Sequence, residues 1–511
     1  MQGVGSIAPM NATATREHAM ARVGSLDNLE ALSLAYLALP TAIFLAAWIA
    51  APLGIIAAMA FVVTVSLLLK RITRQAIATI TPAAWMMIAV VAAGWCILGG
   101  QGHFLYANSD WWVRDAVLRD LVLDPWPVLY RYGDSDLILR TPLGYYLPAA
   151  ALGKIVGLRG AELFLMLSTT IGVALTFAFM LRDRPTIHAA LIRFVVFVLF
   201  SGMDILPTLA RGYPHAMGEM IEWWQSFIMY GSLTTQLFWA PNHTLPGWIA
   251  AAWFVSRDPR AIPASAVVLC VTTSAFWAPL TAIGIVPLAV AAIASRAKRD
   301  GIVRVVRETL DWRLLIPVVI CLGLVFPYLV AGSDTIQSGL MADIPWVGED
   351  YGWRHLEFVL VEFAGIATLL LLRHGRDPLL WAAVALLALL PVVYFGPYND
   401  LAMRGSVAAL ALLAIYAGRW LSSPWSMRDA GLRALLVVLL AIGAVTPIFE
   451  IARAVQAKPW PLNERASLIE VTQGTHYFTL IDQPWMHRFM MVTPDGATAP
   501  SDPAAKRVPA P

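Results

Sequence analysis

Charge is what this sequence most lacks. Only 14% of its 511 residues are Asp, Glu, Lys or Arg, while 59% are hydrophobic; an ordinary soluble domain carries roughly a quarter charged residues. No water-soluble fold hides that much apolar surface, so composition excludes the soluble classes. Cysteine is nearly missing as well. Cys96, Cys270 and Cys321 all sit inside apolar runs, which argues against a disulfide framework or a thiolate metal site and reads as small membrane-buried hydrophobes. A formal charge of +3 over the chain gives no reason to expect a nucleic-acid partner. The first thirty residues lack a basic start, a short apolar core and a small-residue cleavage site, so no removable signal peptide is expected and the first long apolar helix serves as the signal. Two further absences bear on function. Without a glycine-rich phosphate loop there is no sign of a bound nucleotide, and without an internal repeat the inverted-repeat transporters are disfavoured.

What is present is a succession of apolar runs. The mean hydropathy of +0.67 is spread along residues 31–451, in runs long enough to cross roughly 30 Å of hydrocarbon. Spans are expected near 31–50, 53–69, 83–100, 161–181, 187–206, 244–256, 261–278, 279–295, 314–332, 356–372, 379–395, 405–420 and 431–451. That is an all-α polytopic membrane protein of about thirteen transmembrane helices. Arginine and lysine set the orientation. Lys70, Arg71 and Arg74, then Arg182 and Arg184, Arg257 and Arg260, the run from Arg296 to Arg313, Arg373 and Arg376, and Arg419, Arg428 and Arg433 fall in alternate loops. Those loops are expected on the cytoplasmic side together with residues 1–30, leaving the segment 456–511 extracytoplasmic, with its Ala- and Pro-rich end disordered. Residues 31–455 then form the transmembrane domain.

Three outer loops, 101–160, 207–244 and 332–355, are too long to be connectors. Within the first, 142–157 is apolar but short and carries Tyr145, Tyr146 and Lys154, as expected for a helix lying at the membrane interface. Soon after the third span comes Asp110-Trp111-Trp112-Val113-Arg114-Asp115, continuing to Arg119 and Asp120. As a helix it allows pairing of Asp110 with Arg114 and of Asp115 with Arg119. A carboxylate kept ionised beside arginine at the water boundary suits general-base work, with Asp110 the first candidate and Asp115 the second; the same residues would also suit an interfacial helix whose charges face water. The second loop gathers His215, Glu219, Trp223, Trp224 and His243, where aromatic faces can stack on a sugar ring and polar groups fix its hydroxyls, although tryptophan also anchors proteins at membrane interfaces. His215, Glu219, Glu222 and His243 have the residue types for a divalent metal but no tight ligand motif, so no cofactor is expected. Arg404, at an outer helix end, breaks the charge bias and calls for an anionic partner, either Asp400 or a phosphate. Glu357 and Glu362, in the outer half of a span, are either functional or packed toward arginine or tyrosine.

This pattern resembles the polytopic C-type glycosyltransferase (GT-C) superfamily. Asp110-Trp111, Asp120-Leu121, Trp126-Pro127-Val128, Tyr145-Tyr146-Leu147-Pro148, Gly153-Lys154 and Asn399-Asp400 look, more closely, like an uncharacterised group of bacterial membrane proteins. The superfamily resemblance implies a cytoplasmic N-terminus, interfacial helices in a large first outer loop and an acidic residue soon after a transmembrane helix. It also implies a sugar donor carried on polyprenyl phosphate and a lipid, glycan or protein acceptor at the outer face of a bacterial inner membrane. By that likeness Asp110 is the base and Arg404 holds the donor phosphate, with Arg114, Lys154, Asp400 and the second-loop residues around the substrate. The Asp-Glu pair of the mannosyltransferases is not present, since Trp111 follows Asp110. Two other readings accompany it, a lipid or glycolipid transporter and a non-catalytic membrane assembly factor.

Overall fold

The computed structural model describes residues 26–73, 80–212, 220–225, 227–345, 347–396, 399–472, 477–481 and 484–490. In chain order its principal helices are α1 (Asn28–Trp48), α2 (Leu53–Ile72), α3 (Pro82–Leu98), α4 (Asp110–Leu123), α5 (Leu147–Val156), α6 (Leu158–Leu181), α7 (Ile187–Val198), α8 (Leu233–Trp239) and α9 (Pro241–Ser256). They continue as α10 (Ala264–Trp277), α11 (Pro279–Asp300), α12 (Ile302–Thr309), α13 (Trp312–Val330), α14 (Tyr351–His374), α15 (Pro378–Val392), α16 (Asp400–Leu421) and α17 (Met427–Gln456). Strands are few and short. β1 (Leu129–Tyr132), β2 (Ser135–Leu139) and β5 (Phe478–Leu480) form one antiparallel sheet, and β3 (Ser338–Leu340) pairs with β4 (Val393–Phe395). The chain is a multi-pass helical membrane protein.

Among the described residues eight helices, α1, α2, α6, α11, α13, α14, α16 and α17, are long and apolar enough to cross a membrane. Helices stand at all thirteen positions expected from sequence, but α3, α7, α9, α10 and α15 fall short of that length. The 14 residues of α10 extend only about 21 Å, against roughly 30 Å of hydrocarbon. Apolar length in the sequence does not distinguish a lipid-facing span from a helix buried within protein. In α9 every residue except His243 is buried, the signature of a helix surrounded by others.

Capping and charge organise one end of the bundle. Asp27 and Glu30 form a reciprocal capping box at the start of α1, satisfying two backbone N–H groups. Glu30, fully buried, also accepts hydrogen bonds from Arg182 at 2.8 Å, Arg257 at 2.9 Å and the Trp253 indole at 3.0 Å. Nearby, Arg193 and Arg419 reach Asp183, Arg296 reaches Glu308 at 2.6 Å, and Arg71 reaches Asp311. The alternate basic loops of the sequence therefore meet at a single end. The other end carries residues 101–146, both sheets and residues 457–472, 477–481 and 484–490.

The helices at that second end do not reach a common height. The indole of Trp277, the last residue of α10, donates at 2.9 Å to the carbonyl of Leu37, the tenth of the 21 residues of α1. A Cβ on Gly144 would lie 2.8 Å from the Trp277 Cα, so the first outer segment descends into the space that the α10–α11 hairpin leaves open.

Candidate functional site

The N-terminus of α4 is fixed from below. Asn108 donates to the Phe238 carbonyl at 2.8 Å and accepts from the Asp110 N–H at 3.1 Å, and the Trp111 indole donates to the same Phe238 carbonyl at 3.1 Å. Trp111 is buried completely. Asp110 therefore stands in the first turn of α4 on a rigid footing. Its side chain is 46% exposed and lies 3.6 Å from Arg114, one turn along.

Arg114 is the hub of the group. Its guanidinium donates to the Asn242 side-chain oxygen at 3.1 Å, to the Tyr146 hydroxyl at 3.4 Å and to the Trp239 carbonyl, while its buried Nε has no hydrogen-bond partner. Trp239 is positioned in turn by Glu450, which accepts from its indole at 2.9 Å, and by Arg453 stacked over its ring at 5.1 Å. On the far side, Thr281 donates to the Arg404 carbonyl at 3.1 Å and lies 3.4 Å from the His243 ring, and Arg404 lies 3.7 Å from Asp400. Both guanidinium groups act electrostatically on His243. Tyr477 faces the same charges: burial pushes its phenol up to about 12, with Asp110 and Tyr146 adding to that push and Arg114 and Arg404 opposing it. Asp110, Arg114, His243, Asp400 and Arg404, up to about 290 residues apart in the chain, thus converge at the end opposite the basic loops, together with Tyr146, Asn242 and Tyr477. A half-exposed carboxylate beside one guanidinium group, with a second guanidinium in the same cluster, can take a proton while the cations neutralise an anion.

Other expected residues lie elsewhere. Lys154 donates to the Asp124 carbonyl at 2.7 Å and sits 4.9 Å from the Trp126 ring; it closes the far end of α4, about 20 Å from Asp110 along the helix. Trp224 donates to Glu362 at 2.9 Å beneath Arg211, whose guanidinium lies 5.2 Å from its ring, so it packs toward α14. Trp223 belongs to the same short turn, Ile221–Gln225. Glu357 pairs with Arg211 at 3.0 Å. His215 and Glu219, two of the four residues considered for a metal, lie outside the described residues; among the described residues no group of three or more His, Cys, Asp or Glu is arranged to hold one.

Asp115 differs from Asp110 in every respect. The spacing allowed it to pair with Arg119, yet Arg119 pairs with Asp120 at 2.8 Å. Asp115 is buried, 3.0 Å from His103, and accepts from the Asn463 N–H at 3.2 Å. Asp120 is buried too, accepting from the Leu468 N–H at 2.8 Å and the Tyr130 hydroxyl at 2.9 Å. With Trp460, whose indole donates to the Ala107 carbonyl at 2.8 Å, these acids strap the segment 457–472 across α4. Burial raises the Asp120 carboxyl to about 6 despite those bonds. It also raises Asp115, while at His103 burial works against the charge but the bond and charge of Asp115 outweigh it; the pair keeps its proton to higher pH than a free imidazole would.

Sequence reasoning missed Asn242 and Thr281 as partners of the group and read Tyr146 only as part of an interfacial helix. Asn242 adjoins His243, and that adjacency was the one available signal. Compared with protein-family models, with curated proteins and with solved structures, the chain matches none.

Proposed function

We propose that this protein is a glycosyltransferase of GT-C-like architecture, with thirteen membrane crossings, that moves a sugar from a polyprenyl-phosphate carrier to a lipid, glycan or protein acceptor. In this reading the basic end and the N-terminus face the cytoplasm of a bacterial cell, and the Asp110 group and the C-terminus face the periplasm. Asp110 takes the proton from the acceptor hydroxyl as the anomeric carbon passes from phosphate to acceptor. Arg404 and Arg114 neutralise the phosphate that leaves, Asn242 and Tyr146 hold Arg114 in place, and His243 meets the sugar. Asp115 serves this chemistry indirectly, by anchoring the strap over α4. The observation that carries the reading is the convergence of Asp110, Arg114, His243 and Arg404 from three distant segments at the end away from the basic loops.

Lipid and glycan mass spectrometry on a deletion strain tests it. Wild type should restore a hexose or pentose on one glycoconjugate, and Asp110→Asn should not, at equal protein abundance. Full rescue by the variant would remove Asp110 as the base.

A transporter of lipids or glycolipids is favoured by one observation, the discontinuity of the helices near mid-depth. α10 ends beside Leu37, and α13 and α14 contain π-helical segments at Cys321–Val325 and Leu360–Ala364, a frequent mark of functional sites. Movement of a labelled glycolipid across vesicles containing the purified chain, unchanged by Asp110→Asn, would select that reading.

A further inference from the structure

The basic end holds a cavity that the chemistry proposed for the opposite end leaves unused. It is an open cleft of about 570 Å³ bounded by the α14–α15 turn, with Arg373, His374 and Arg376, and by Arg260 just before α10. This is the size of a small-molecule site. Two acids share the lining, and both are engaged. Asp258 lies 3.2 Å from Arg260, while Asp377 accepts from the Tyr416 hydroxyl and, at 3.0 Å, from the Leu379 N–H. Arg373 and Arg376 are exposed, and among the described residues neither makes a hydrogen bond or an ion pair. The His374 Nε2 is buried without a partner. The lining thus presents two uncommitted guanidinium forks, donors matched to phosphate oxygens.

Apart from Ser295, its remaining wall is apolar. Leu371 and Leu372 line the cavity, and Leu372 is 68% exposed on the flank of the bundle. Beside it the exposed Trp381 donates from its indole to the Gly375 carbonyl at 2.9 Å, the arrangement of an aromatic ring at a membrane–water boundary. A free anion needs only the basic half of such a site; an amphiphile uses both. We propose that this cavity binds the phosphate of an anionic lipid headgroup, with the acyl chains running along Leu372. It holds whether or not the opposite end transfers sugar.

The test uses the purified full chain. Reconstituted with equal phosphatidylglycerol and phosphatidylcholine and then stripped with detergent, wild type should retain phosphatidylglycerol by native mass spectrometry. The double substitution R373Q/R376Q should weaken that retention about tenfold or more, the scale of losing one charge-assisted hydrogen bond. R373K/R376K should keep part of it, and K298Q/R428Q, which removes two exposed charges outside the cavity, should leave it unchanged. Equal loss in R373Q/R376Q and K298Q/R428Q would reduce the effect to general surface charge and overturn the site. On wild type alone, equal retention of the two lipids would overturn it as well. In a lipid-free arm, thermal stabilisation by inorganic pyrophosphate that depends on Arg373 and Arg376, without preference for phosphatidylglycerol, would assign the cavity to a soluble phosphate and overturn the lipid.

Discussion

Asp110 and Asp115 are five residues apart on one helix, yet one stands half exposed beside arginine and the other is buried against His103. Burial governs how the acids beneath the strap over α4 titrate. An unfolded aspartate titrates near 4, whereas Asp120 in the fold has risen to about 6. The folded chain keeps this proton where the unfolded chain has lost it, so the stabilisation is complete below about pH 4 and disappears as pH rises through about 6. His103 acts in the same direction: its raised value makes its contribution full below about 6.5 and lost as pH climbs through the folded pKa. The thermal midpoint of the detergent-solubilised chain should therefore fall as pH is raised from about 4 to 7, and Asp120→Asn should flatten the lower part of that decline. An identical slope in the variant would rule Asp120 out. At this scale the Asp110–Arg114 pair was legible, because four-residue spacing on a helix brings side chains together. The partners of Asp115 were not, because His103 sits in a turn and Asn463 arrives from about 350 residues away.

Helix contacts place the Arg404 side of the site. A Cβ on Gly284 of α11 would lie 2.0 Å from the Gly405 carbonyl oxygen of α16, backbone that cannot give way as a flexible side chain would. The pair of glycines lets the two helices touch, and the same contact seats the Arg404 carbonyl against Thr281. Gly284→Leu should drive the helices apart. A thermal midpoint lowered by several degrees and loss of the glycoconjugate product are expected, with overpacking costing about 1–3 kcal/mol; wild-type behaviour in both assays would show that the contact is not needed. Long spans such as α6 and α11 were readable from apolar length alone. The shortness of α10 was not: the expected span 261–278 stops where the helix does, but its first residues belong to the separate turn Pro259–Ala261 and to the Pro263 cap.

Over the whole molecule, alternate loops of like charge come together at one end through ion pairs centred on Glu30, Asp183 and Glu308. The alternation was visible in sequence because the arginines recur at loop spacing; the acids that hold them to one another were not, since nothing in Asp27 or Glu30 alone names Arg182 or Arg257. The proposed orientation has a direct check. All three native cysteines are buried, so maleimide labelling starts from a quiet background. Lys298→Cys should react only after the cytoplasmic membrane is opened, and Ser135→Cys, in the β1–β2 hairpin region, should react from outside; labelling of both from the same side would reject the scheme. Finally, α10 stops halfway up α1, which has an electrical consequence. A group whose floor lies within the thickness of an energised bilayer sits partway down the membrane voltage. Moving one charge across all of it is worth about 2.3 kcal/mol per 100 mV. In the proposed orientation, an anion leaving the Arg404 side toward the outer water would collect a fraction of that, so the cell's own potential would help expel the phosphate that the proposal gives to the arginines.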